Sequence, residues 1–429
     1  MDQNLRNRNN NFPKSFLWGA SVSAHQVEGG NINDWTEWEL AHAKQFADDA
    51  KRSEGVTSTN DNIPNWETIK PNATDPNNYV SGRGVDHYNR FKEDFKLLKE
   101  LNLSAFRFGI EWARVEPQEG KWDEEAIQHY HDYIDELRDL GIEPVLNLWH
   151  YTMPTWLAKK GGFEKRQNLQ YWNRYVDRLA TEFGKKLNYA ITINEPNVYA
   201  TFGYIIGLWP PNKKNFALAC VVTWNQIKAH RKAYKILKHH NPQLQIGVAI
   251  QLANIQGKHP HNIFDEISTK IMRAWWNWFF LNRIRKHQDF VGFNYYFSDY
   301  YTGLMKRENP KVPLSDTGWY MEPEGLYPLL LRAWAHYKKP IIVTESGVAD
   351  SQDQYRRWWL EESIVAMERA ISEGVDLRGF FYWSLLDNFE WEKGWWPKFG
   401  LVAVDREHGM KRTIRPSAKW FAETIKRLQ

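Results

Sequence analysis

The stretch LNYAITINEPN, residues 187–197, decides the fold. Its centre, YAITIN, is an unbroken apolar and β-branched run, the pattern of a strand covered on both faces, and such strands belong to parallel sheets flanked by helices. The run closes on Asn194, Glu195 and Pro196. An acidic residue followed by proline suits the first turn of a helix, where the carboxylate meets the helix dipole and proline needs no amide hydrogen. A carboxylate at the end of a buried strand equally suits chemistry, and the local pattern leaves both readings open.

Working outward, seven further runs read as strands: SFLWGASVS (15–23), SAFRFGI (104–110), EPVLNLW (143–149), QIGVAIQL (245–252), FVGFNYY (290–296), PIIVTES (340–346) and RGFFYWSLL (378–386). Amphipathic stretches such as RFKEDFKLLKEL, EAIQHYHDYIDELRDLG, LQYWNRYVDRLATEFGKKL and IVAMERAISEG separate most of them. Strand and helix alternating about eight times predict an α/β fold, a single (β/α)₈ TIM barrel with long βα loops. No Gly/Ser- or Pro-rich linker divides the chain, so residues 12–429 read as one barrel domain behind a flexible polar tail, residues 1–11. Residues 41–85, polar and interrupted by Pro64 and Pro71, read as a long excursion able to rim a pocket.

Composition removes several function classes. No apolar run is long enough to span a bilayer, so no membrane partner is expected. The opening MDQNLRNRNNNFPKSF lacks the apolar centre of a secretory signal, and Cys220 is the sole cysteine, which together point to a reducing, cytoplasmic setting. The 56 basic residues are scattered among 52 acidic ones, for a net charge of +4, so nucleic acid is not an expected partner. No H-E-x-x-H spacing and no glycine-rich phosphate loop occurs, and neither metal nor cofactor is expected. Oligomeric state is not legible. Aromatic residues reach 15%, with 23 Trp, 20 Tyr and 22 Phe. Most are core material, yet several stand beside polar groups near strand ends, where a flat ring can stack on the C–H face of a sugar.

Barrel enzymes carry their chemistry where strands end and βα loops begin. Here those places offer Gln26, Arg107 with Glu111 and Trp112, His150, Asn194 with Glu195, Asn294 with Tyr296, Glu345, and Trp383 followed by Glu390. Glu195 and Glu345 end the fourth and seventh strands, which are expected to face each other across the barrel. Two converging carboxyls are what glycoside cleavage requires: one protonates the leaving oxygen, the other attacks the anomeric carbon or activates water. Arg107 paired merely with Glu111, His150 as a core histidine, and Trp383 as packing are the plainer alternatives.

The segments FLWGASVSAHQVEG, TINEPN, FVGFNYY, VTESG and WSLLDNFEW together resemble those of glycoside hydrolase family 1, the β-glucosidases and β-galactosidases, from about Phe12 to the end of the chain. The resemblance implies a (β/α)₈ barrel of retaining β-glycosidases without a cofactor. It implies Glu195 as acid/base and Glu345 as nucleophile. It implies Gln26, His150, Asn194, Glu390 and Trp391 as sugar-binding groups, Trp383 as the platform beneath the ring, and Asn294 on the same wall. Arg107 and Tyr296 would sit beside the nucleophile and favour its charged form, while the charge of Glu345 would hold Glu195 protonated. A β-glucosidase with some β-galactosidase or β-fucosidase activity on short oligosaccharides or aryl and alkyl glycosides follows, with a transglycosidase and a non-catalytic sugar binder as alternatives.

Departures from the family pattern also carry expectations. HYTMP at 150–154 stands where relatives often have HWDLP, so Tyr151 replaces a tryptophan at the sugar's edge. Trp319, in GWYMEPEGLY, resembles the family's position at the pocket mouth. Glu390 suits free 4- and 6-hydroxyls, so the resemblance implies unphosphorylated sugars. The segment from about His240 to Phe290 is shorter than in many relatives, which implies an open aglycone side.

Overall fold

The computed structural model describes residues 11–57 and 61–429. The tail expected over residues 1–11 therefore lies, Asn11 excepted, outside the described residues. Each of the eight apolar runs contains or overlaps one barrel strand: β1 (Leu17–Ser21), β2 (Ala105–Gly109), β3 (Glu143–Asn147), β4 (Tyr189–Asn194), β5 (Gln245–Gln251), β6 (Val291–Tyr295), β7 (Ile341–Ser346) and β8 (Leu377–Trp383). Neighbours in sequence are neighbours in space, every pair is parallel, and β8 closes on β1 with Gly19 beside Phe381. Helices α1 (His87–Glu100), α2 (Glu124–Asp139), α3 (Leu169–Phe183), α4 (Phe216–His240), α5 (Phe279–Ile284), α6 (Leu326–Tyr337) and α7 (Arg356–Ser372) lie between successive strands, and α8 (Pro416–Leu428) ends the chain.

The period-2 alternation of the strands sorts the core into two parts. On β2, Ala105 joins the barrel interior while Phe106 and Phe108 pack outward against the helices. Val145, Ile191, Ala249, Ile342 and Phe381 fill the same interior, with Phe290 plugging it from below. Gly247 makes room for that ring: a Cβ there would lie 2.5 Å from it. With the lower barrel filled by apolar side chains, the polar inward positions are left to its upper end. Outside, α3 shows how the helices hold on. Trp172, Tyr175, Val176, Leu179, Ala180 and Phe183 recur at helical spacing and are buried, each large side chain contributing about 2 kcal/mol by leaving water.

Two expectations need correction. Residues 41–85 are not a plain loop: a helix spans Asp34–Ser53, and shorter ones follow at Trp66–Ala73 and Pro76–Tyr79. The helix was hard to see because its buried positions are few and one of them, Glu39, is charged. Nor do β4 and β7 face each other directly. With β5 and β6 between them, they are three strands apart, and β8 stands opposite β4.

Candidate active site

The question posed by TINEPN resolves in an unexpected way. Glu195 does occupy the N-cap position of the helix Pro196–Ala200, with Pro196 in its first turn, but its side chain makes no capping bond. Its backbone adopts φ 40° and ψ 60°, the left-handed region, which turns the carboxyl into the barrel mouth. There Asn294 Nδ2 donates to Oε1 at 2.8 Å and the Tyr151 hydroxyl donates to Oε2. Tyr151 and Trp391 also have positive φ, 74° and 49°. Such backbone costs about 1–3 kcal/mol per non-glycine residue and gathers where function requires it; all three residues line one cavity.

Glu345 meets a different environment. Its Oε1 accepts from Arg107 Nη1 and its Oε2 from the Tyr296 hydroxyl at 2.5 Å. Arg107 rises from the inward face of β2, fully buried, and its Nη2 donates to Asn194 Oδ1 at 2.6 Å. Asn294 Nδ2 reaches the same Asn194 oxygen at 3.2 Å, so a network of amides and one guanidinium joins the two carboxyls. Glu111 is no partner of Arg107: the Thr152 hydroxyl donates to it at 2.9 Å, and it caps the short helix Trp112–Val115.

The two carboxyls differ electrostatically. Burial, and then the negative charge of Glu345, push Glu195 up to about 8. Glu195 is therefore protonated at neutral pH while Glu345 receives two donors. His150 is held well below the usual histidine range, first by burial and then by the Arg107 charge, and stays neutral. Asn194 Nδ2 lies 3.0 Å from its Nε2 and Asn147 Nδ2 3.2 Å from its Nδ1.

The remaining wall comes from the first and last βα loops. Gln26 Nε2 donates to the Phe389 carbonyl at 2.7 Å and to Glu390 Oε2 at 3.3 Å, and the Ser23 hydroxyl fixes its other end at 2.6 Å. Asn388 Nδ2 donates to Glu390 at 2.8 Å, yet burial still pushes that carboxyl up to about 7. Trp383 ends β8 with His150 stacked at 5.8 Å, and Trp319 packs edge-on to Tyr296 at 5.7 Å.

These side chains surround a cavity of about 500 Å³. His150, Tyr151, Glu195, Tyr296, Glu345 and Glu390 line its inner part, with Trp383, Trp391 and Trp319 beside them; Val198, Phe202, Ile255, Met272, Trp276 and Phe297 make another part apolar. Gln26, Arg107, Asn194 and Asn294 do not line it, but each bonds a residue that does. Ser23, Asn147 and Asn388 were not foreseen. Each is a polar residue inside or just after an apolar run, and only the contact reveals its task. Among the described residues no group of three His, Cys, Asp or Glu is placed to hold a metal ion.

A closed parallel barrel with an acid and a carboxylate in one sugar-sized cavity defines a glycoside hydrolase. The chain belongs to glycosyl hydrolase family 1, whose sequence profile matches residues 8–284 and 281–429. It is 28% identical to β-glucosidase A of Acetivibrio thermocellus, over 97% of this chain and 98% of that one. It is 30% identical to an aryl-phospho-β-D-glucosidase of Bacillus subtilis, over 97% of each. In structure it is similar to a β-glycosidase from Pyrococcus horikoshii, with a TM-score of 0.83, 30% identity and 97% of both chains covered.

Proposed function

We propose that this β-glycosidase is a retaining exo-β-glucosidase, tolerant of galacto- and fuco-configured sugars, that removes the terminal non-reducing residue of unphosphorylated short oligosaccharides and aryl or alkyl glycosides. The observation that carries the reading is the contrast between two carboxyls in one cavity: Glu195 protonated at neutral pH, Glu345 held by Arg107 and Tyr296. In the first step a Glu345 oxygen bonds to the anomeric carbon as the glycosidic C–O bond breaks. The freed electron pair stays on the aglycone oxygen, which takes the proton of Glu195. The charge that raised Glu195 is now spent in an ester, so Glu195 releases protons more readily. It then takes a proton from water as the water oxygen displaces Glu345 from the anomeric carbon, returning both carboxyls to their starting states and the sugar to its β configuration.

Glu390, kept beside Gln26 and Asn388, supports free sugar hydroxyls as its partners, because a carboxyl at this wall repels a phosphate. Trp383 supplies a flat face for the ring, and Asn194, behind the wall, fixes His150, which lines it. The test is incubation with an activated 2-deoxy-2-fluoro-β-glucoside, then intact-mass analysis and peptide mapping. One adduct per chain on the peptide carrying Glu345 is the expected result; no adduct, with no turnover of aryl β-glycosides, overturns the reading.

Tyr151 gives a finer prediction. Its hydroxyl donates to Glu195 and favours the charged carboxylate, so it opposes the upward push of burial. kcat/KM is expected to hold until Glu195 loses its proton and to fall above about pH 8. Tyr151→Phe removes the donor, raises Glu195 further and moves that basic limb up by roughly one pH unit. A limb that stays in place or moves down shows that the contact does not govern Glu195.

A further inference from the structure

The helix Ile263–Met272, next to the cavity, is turned inside out. Its inward positions are polar: Asp265, Ser268 and Thr269 are buried. The Asp265 carboxylate accepts from the backbone amides of His259 at 3.0 Å and Gly303 at 2.8 Å. Its outward positions are apolar. Ile263, Phe264, Ile267 and Ile271 all face solvent, Phe264 with 69% of its surface free. The neighbouring loop tip adds Leu304, 99% exposed, and half-exposed Met305. A Cβ on Gly303 would lie 3.2 Å from the Cβ of Phe264, so tip and helix form one continuous face. A grouping of this size on a soluble surface marks an interaction site.

Two further observations identify what fits it. Met272 and Met305 belong both to this region and to the lining of the catalytic cavity, so the face starts where the apolar part of the cavity opens. Lysines outnumber acids around it: Lys270 and Glu266 stand exposed on the helix itself, and Lys258 before it and Lys306 after the loop tip share the single carboxylate of Glu308. A second copy bound here would lie over the opening at Met272 and Met305, whereas a lipid surface can itself present amphiphilic molecules to it. A short helix with an apolar outer face flanked by lysines is suited to lie flat in a headgroup layer. We propose that this face docks the protein on an anionic bilayer surface, with Ile263, Phe264, Ile267, Ile271 and Leu304 entering the headgroup boundary and the cavity mouth directed at the membrane. No helix among the described residues is long and apolar enough to cross a membrane, and none is needed.

The test is flotation of the full chain with vesicles of equal parts phosphatidylglycerol and phosphatidylcholine, at low and high salt. The protein is expected to float with the vesicles at low salt and less at high salt. The triple variant F264Q/I267Q/I271Q is expected to bind at least about tenfold more weakly, with unchanged circular dichroism and unchanged hydrolysis of a soluble nitrophenyl β-glucoside. Absence of flotation at low salt overturns the proposal, as does flotation undiminished in the variant. A dimer seen by light scattering that the variant disperses, without flotation, assigns the face to a second copy instead.

Discussion

Glu345→Gln is expected to lower kcat for an aryl β-glucoside by about 10⁴-fold or more, equivalent to about 5.5 kcal/mol of transition-state stabilisation. The amide matches the carboxylate in shape, so substrate can still enter, but it is neutral and a poor nucleophile, and no glycosyl ester forms. The same change leaves Arg107 buried without its anionic partner, and a buried charge stripped of its partner costs about 3–5 kcal/mol of stability. Lower thermal stability is therefore expected together with the lost activity, and circular dichroism at the assay temperature separates the two. A second readout does not depend on turnover: with the negative neighbour gone, the pKa of Glu195 should fall, which carbon-13 NMR of a labelled glutamate can follow. A variant that kept near wild-type turnover would remove Glu345 from the nucleophile's place.

What the sequence made legible depended on how far each feature could be judged from its own neighbours. The barrel strands could be read because both faces of each are covered, which leaves runs such as YAITIN and FVGFNYY without interruption. Glu195 was only half legible. Its position before Pro196 correctly marks a helix start, but a left-handed backbone directs the side chain away from that helix, and no local pattern announces that turn. The helix Asp34–Ser53 was lost because its inward side is sparse and includes Glu39. The helix Ile263–Met272 reverses the usual rule, since its apolar stripe faces water and its polar side packs inward. Such a stripe is too short to read as a spanning segment, so its sequence alone does not mark it out. Tyr151 shows the remaining limit: its replacement of a family tryptophan was visible, but its bond to Glu195 crosses from one strand end to the next and exists only in the fold.

Glu195→Gln is expected to sort substrates by their leaving groups. If Glu195 supplies a proton to the departing oxygen, a dinitrophenolate, already stable as an anion, gains almost nothing from it, whereas an alkoxide gains the whole benefit of general acid catalysis. kcat/KM should stay within about tenfold of wild type for a dinitrophenyl β-glucoside and fall about 10²- to 10⁴-fold for cellobiose or an alkyl glucoside. The second step distinguishes further. Water attacking the glycosyl ester needs a base, and glutamine is none, so the intermediate on Glu345 should accumulate and give a burst of dinitrophenolate followed by slow turnover. Azide needs no base; added to the variant, it should restore turnover and yield the β-glycosyl azide. The fall of kcat/KM above about pH 8 should disappear as well, because the group whose proton loss causes it is gone. A loss of equal size for every leaving group, unaffected by azide, would make Glu195 a binding residue, and the protonated carboxyl within TINEPN would then need another explanation.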